Sequence, residues 1–193
     1  MRLLALALVA SLVAGACRGG GAAKTQTPLA TASLPSGSPT PAPVPTIDPA
    51  TAGTGKVTLP GSPFGGTLKA IRIGLHPELG GWDRIVFEFE GGLPSAEVEY
   101  VQSAVGCGSG LPVAVQGQAI LAVRFEPAAA HDDQGQLTIP SNTVPGQGGV
   151  IVETKAYCDF EAVVQWAVGL KAKQPFKVTT LQNPPRLAID IKQ

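Results

Sequence analysis

From about Lys56 onward, apolar and polar residues alternate with a period of two, the mark of strands that bury one face and solvate the other. Ile71, Ile73 and Leu75 alternate with Arg72 and Gly74. Ile85, Phe87 and Phe89 alternate with Arg84, Val86, Glu88 and Glu90, so one face of that segment is apolar and the other carries charge. The same reading predicts strands over 97–102, 113–116, 118–125, 136–139, 150–156, 162–169, 176–181 and 187–191. Asp159 to Gly169 also admits a helix with Asp159 as its cap. Its β-branched valines and the alternation of Val164, Trp166 and Val168 favour a strand. Nine or ten short strands separated by turn residues predict an all-β fold, a single β-sandwich or barrel-like sandwich large enough for one core.

Ahead of this region the pattern differs. Arg2 precedes an apolar run from Leu3 to Val13, a length suited to a signal peptide and too short to cross about 30 Å of hydrocarbon as a helix. The run ends in Val13-Ala14-Gly15-Ala16-Cys17, which resembles a bacterial lipobox, although Ala14 stands where Leu is commoner. Residues 1–16 are therefore expected to be a lipoprotein signal peptide, with Cys17 the acylated N-terminus of the mature chain. Residues 17–55 are dominated by Gly, Ala, Ser, Thr and Pro, as in Ser36-Gly37-Ser38-Pro39-Thr40-Pro41. That composition buries too little apolar surface to offset ordering entropy, so a disordered tether is expected before the sandwich of residues 56–193. The expected location is extracytoplasmic, held at the membrane by the N-terminal lipid.

Charge and cysteine usage narrow the classes further. Fourteen basic and fourteen acidic side chains cancel, which argues against a nucleic-acid partner, since phosphate binding needs a clustered Lys/Arg surplus. With 24 Gly and 18 Pro in 193 residues, a helical bundle is excluded. Of three cysteines, Cys107 and Cys158 fall in the folded region. Export puts them in an oxidising compartment, where they are expected to pair. A catalytic thiolate would need an activating His, and neither His76 nor His131 is near either cysteine in sequence.

Three segments together resemble a known family: Leu68-Lys69-Ala70-Ile71-Arg72-Ile73-Gly74-Leu75-His76-Pro77 leading to Trp82-Asp83-Arg84-Ile85-Val86-Phe87; Asp159 to Leu170; and Asn183-Pro184-Pro185-Arg186-Leu187-Ala188-Ile189-Asp190-Ile191. The combination resembles the AMIN-like domain of bacterial exported and lipid-anchored proteins from about Gly65 onward. The related AMIN domains are all-β modules that direct periplasmic amidases and some secretins to peptidoglycan. The resemblance implies a non-catalytic envelope-binding module, and no amidase or secretin domain follows it in this sequence. It also raises His76, Trp82, Asp83 and Arg84 as ligand-binding candidates.

Set against the residues alone, most chemical readings are weak. Asp83, Arg84, Arg186 and Asp190 fit cross-strand bracing better than a site. His131-Asp132-Asp133 reads as a solvated turn, because three adjacent loop residues cannot close a metal site. Glu88 and Glu90 share a strand face, as a glycosidase pair could, but so does any solvated strand. No phosphate-cradling loop or nucleophile elbow occurs. Neither metal nor cofactor is expected, and the chain is not expected to be an enzyme. A glycan binder needs an aromatic platform; Trp166 is expected inside, and Trp82 fits either core or surface. The expected partner is peptidoglycan or an envelope protein, the latter through a strand edge.

Overall fold

The computed structural model describes residues 51–193, so the leader, Cys17 and the tether up to residue 50 lie outside the described residues; at the tether's end Gly53 bridges Phe176. The strands are β1 (Val57–Leu59), β2 (Gly66–His76), β3 (Trp82–Glu90), β4 (Ser95–Val101), β5 (Ala104–Val105), β6 (Pro112–Val113), β7 (Ala119–Glu126), β8 (Ala128–Ala129), β9 (Thr143–Pro145), β10 (Ile151–Phe160), β11 (Val163–Leu170), β12 (Phe176–Leu181) and β13 (Arg186–Lys192). One sheet has the order β1-β4-β7-β11-β10-β9, the other β12-β13-β3-β2-β8, and β5 pairs with β6. Pairing is antiparallel throughout except between β2 and β8. The chain is an all-β sandwich, as the alternation predicts.

The inward faces of the two sheets meet in one core. Ile85, Phe87 and Phe89 of β3 pack with Leu121, Val123 and Phe125 of β7 and with Val164, Trp166 and Val168 of β11. Ring centroids lie 5.2 Å apart for Phe87 and Phe125, 4.8 Å for Phe89 and Phe125, and 6.5 Å for Phe87 and Trp166. Burying one such side chain contributes about 1.5–3 kcal/mol, so this aromatic seam is a principal bond between the sheets. Segment 159–169 is strand, not helix: β10 turns at Glu161-Ala162 into β11. Trp166 is fully buried, as expected; Trp82 is 3% exposed but stands outside the core cluster, on the face of β3 opposite Ile85, Phe87 and Phe89.

Two predicted strands fare differently. Residues 136–139 form no strand, and only Leu137 makes an isolated bridge, to His131. The Asp132 carboxylate accepts the backbone N–H groups of Gln134 and Gln136, at 3.0 and 2.8 Å, and closes a tight loop that tucks Ile139 into the core instead. Of 113–116 only Val113 is in a strand. The rest crosses the solvent side of β10 and β11, where the Gln116 N–H donates to Glu153 Oε1 at 2.7 Å and Lys155 Nζ donates to the Ala114 carbonyl at 3.1 Å. Gly169 has Gln116 and Val115 where a Cβ would stand, so the crossing is in close contact. Cys107 and Cys158 form a disulfide that ties this 102–118 excursion to β10.

Candidate functional site

β2 and β3 are joined by a 3-10 turn, Pro77–Leu79, and by Gly80 and Gly81, whose φ angles of 85° and 77° suit glycine. This turn forms one wall of an open groove of about 520 Å³. Leu75 and Pro77 contribute the first wall, Gly148, Gly149 and Val150 before β10 the second, and Lys171, Ala172 and Gln174 between β11 and β12 the third; Gln193 closes one side. Leu75 is 42% exposed, an apolar side chain left in solvent at the groove.

Polar groups hold this end of the sandwich in shape. The Asp83 carboxylate is fully buried on the core side of β3 and accepts hydrogen bonds from the Ile151 N–H, at 3.0 Å, and the Gln193 side-chain amide. It thus clasps one sheet to the first residue of β10 in the other. The α-carbon of Gly149 rests against the same carboxylate, leaving no room for a Cβ. Lys171 Nζ donates to the Gly148 carbonyl at 3.1 Å, and Lys173 Nζ stands 5.0 Å from the Tyr100 ring centre. The Tyr100 hydroxyl donates to the Gln174 carbonyl and accepts the Gln174 N–H, at 2.6 and 3.0 Å, and burial pushes its pKa up.

The four residues named from sequence lie at the same end of β2 and β3 as the groove, but none lines it, and Asp83 turns to the core side of β3 while Trp82 and Arg84 turn to the opposite face. His76 Nδ1 pairs with Glu78 at 2.8 Å, and that hydrogen bond holds the Glu78 carboxyl below its ordinary range. Trp82 lies under Lys192, whose Nζ is 5.2 Å from its ring centre. Arg84 grips Asp190 on the adjacent strand β13 with two hydrogen bonds, of 2.6 and 3.0 Å. Asp83 is the clasp already described. Arg186 stands opposite Glu88 in the strand register and donates through Nε to the Pro184 carbonyl, while Glu88 binds Arg72 and Glu90 binds Lys69 at 3.0 Å.

Of the lysines at this end, Lys171 lines the groove, while Lys173 stands over Tyr100 and Lys192 over Trp82, so the groove presents apolar surface, glycine backbone and one ammonium group together. Such a lining suits a small ligand group with methyl or methylene surface and a carboxylate. Sequence reasoning reached the β2–β3 turn but missed Gly148, Gly149, Lys171 and Gln193. The glycine-rich stretch Gly146 to Gly149 was visible, but nothing in the sequence tells that it meets residues 171 and 193.

His131 binds Asp159 through Nδ1 at 2.7 Å, and among the described residues no group of three His, Cys, Asp or Glu could hold a metal ion. A comparison with curated proteins and one with solved structures each found no match. The family comparison matched the AMIN-like domain over residues 66–193, a span that begins at β2, ends after β13 and contains every residue of the groove, and on that match the chain belongs to the AMIN-like domain family.

Proposed function

We propose that this protein is a membrane-anchored envelope lipoprotein whose sandwich binds peptidoglycan through the groove beside the β2–β3 turn, without catalysing a reaction on it. AMIN-like domains occur in extracytoplasmic envelope proteins, and AMIN domains generally bind peptidoglycan or other envelope components. The observation that carries the reading for this chain is the groove itself. Its exposed Leu75 and Lys171 can meet the methyl groups and carboxylates of a wall peptide, while His76 at the adjoining turn adds a polar edge. Glu88 and Glu90 are each engaged by a cation of β2, which favours bracing over acid–base work. Cys17 is the proposed attachment point for the lipid.

The test is co-sedimentation of the full chain, purified in detergent, with isolated sacculi at low salt. Retention is expected, and the Leu75→Asp, Lys171→Glu double variant is expected to lose at least about tenfold in affinity, the scale of one desolvated apolar contact plus one charge reversal. No retention of the parent chain would remove peptidoglycan as the ligand. In cells, Cys17→Ala is expected to move the protein from the membrane fraction to the soluble fraction; continued membrane residence would refute the anchor.

A second reading draws on one sheet edge. β12 has β13 on one side; on the other, Phe176 exchanges backbone hydrogen bonds with Gly53 at 3.1 and 2.8 Å, and the ladder stops. Val178 and Thr180 turn the same side of the backbone outward, so an extended segment of an envelope protein could add there. Thr180→Pro would then abolish capture of that protein and leave sacculus retention intact.

A further inference from the structure

We propose that the opposite end of the sandwich carries a second binding site, for a primary ammonium group on an alkyl stem, the chemistry of a lysine or other diamino-acid side chain. β3 runs from Asp83 at the groove to Glu90, seven residues and about 23 Å away. At that far end a cleft of about 480 Å³ opens between the 62–66 turn, the start of β8 and the tip of the β10–β11 hairpin. It shares no lining residue with the groove, so this inference does not rest on the groove's ligand.

Three features of the cleft select its ligand. The first is Phe64, which lines it with 95% of its surface exposed. The backbone that carries the ring is held: Ser62 accepts the Phe64 N–H through Oγ at 3.2 Å and the Gly65 N–H through its carbonyl at 3.1 Å, with Pro63 between. Gly65, at φ 67°, abuts the Pro127 carbonyl so closely that no side chain fits there, which fixes the base of the turn.

The second feature is charge. Glu161 has no ion-pair or hydrogen-bond partner among the described residues, and Glu90 engages Lys69 through Oε2. The cleft's cationic candidate, His131, is held by Asp159, whose other oxygen accepts the Ala130 N–H at 3.2 Å. Glu90, Glu161 and Asp159 therefore outnumber Lys69 even before the neighbouring Asp132 and Asp133 are counted. That balance of charge favours a cation over an anion at this end.

The third feature is the balance of hydrogen-bonding groups. Glu90 and Glu161 offer acceptors, the Thr67 hydroxyl both donates and accepts, and the free His131 ring nitrogen takes either role with the tautomer. A neutral sugar needs donors and acceptors in similar number, whereas an ammonium group donates three times and accepts nothing. A cation over the Phe64 face, its stem along Pro127 and Ala129 and its protons toward Glu161 and Glu90, uses what the cleft offers. The hairpin tip that supplies Glu161 is also held in place, since the Ala128 N–H donates to the Ala162 carbonyl at 2.8 Å.

The probe is Nα-acetyl-lysine methylamide, titrated into the isotopically labelled full chain in detergent micelles and followed by amide shifts. Its control is the norleucine analogue, which has the same stem and no ammonium group. Saturation in the millimolar range, with shifts at Gly65, Gly91 and Ala162, is expected for lysine, as for one small ligand in an open site. Phe64→Ala and Glu161→Gln are each expected to weaken it about threefold to fivefold, the usual scale of a cation–aromatic or exposed charge contact, without moving the melting temperature. Lys171→Glu should leave it unchanged. Equal binding of lysine and norleucine, indifference to both cleft variants, or shifts confined to the groove would overturn the proposal. A soluble muropeptide with a free diamino-acid amine and a blocked Ala-Lys-Ala peptide are then compared. Tighter binding of the first assigns the amine to the wall, and of the second to a protein; failure of both to exceed norleucine overturns the site.

Discussion

Replacing Cys107 and Cys158 together by serine is expected to lower the unfolding free energy by about 4 kcal/mol. The bond closes a loop across a sequence separation of 51 residues, and its removal returns that loop's freedom to the unfolded chain. Urea titration should show a lower midpoint and a somewhat steeper slope, because the unfolded chain without the cross-link exposes more surface, and the melting temperature should fall by roughly 10 to 15 °C for a domain of this size. A second readout separates this from a local effect. The Gln116 N–H, bonded to Glu153, and the Gly106 N–H, bonded to the Leu111 carbonyl, lie in the tied excursion and should lose hydrogen-exchange protection first. A loss below about 1 kcal/mol would mean that the packing of 102–118 on β10 and β11 already does the work assigned to the disulfide.

Asp83→Ala is expected to cost about 1–3 kcal/mol, because it strands one buried donor, the Ile151 N–H, while the amide of the exposed Gln193 can turn to water. Asp83→Asn keeps one acceptor and turns its own amide on the other donor, so it should fall between the parent and the alanine variant. Gly149→Ala should be destabilising for the complementary reason, since its methyl would occupy the place of the Asp83 carboxylate. The measurement is chemical unfolding in parallel with sacculus retention at a temperature where every variant is folded. A structural clasp predicts lost stability with retention preserved once folded. Lost retention at unchanged stability would instead make Asp83 a ligand group.

Much of the fold was legible because strand alternation is a local signal. β3 could be read from Ile85, Phe87 and Phe89 against Arg84, Glu88 and Glu90, and the same odd positions form the core side of the observed strand. The 136–139 segment misled because Leu137 and Ile139 satisfy the same alternation, while the Asx turn at Asp132 that bends the backbone depends on two hydrogen bonds that periodicity does not register. β5, β8 and β9 are two or three residues long, too short for a period to be read. At the site, the glycines and lysine of the groove come from positions 148, 149 and 171, far in sequence from the β2–β3 turn they face.

By itself, then, the sequence determined the all-β class, most of the strands, the burial of Trp166 and the pairing partners of the disulfide, since each follows from residue type and short-range pattern or from counting. Only the tertiary structure decided that Asp83 joins the two sheets, that Arg84 is committed to Asp190, that Trp82 is buried and that Phe64 is left in solvent. Those outcomes depend on which strands become neighbours and on how loops close over their ends. The free energy that selects that arrangement is summed over the whole core, and no single segment carries it.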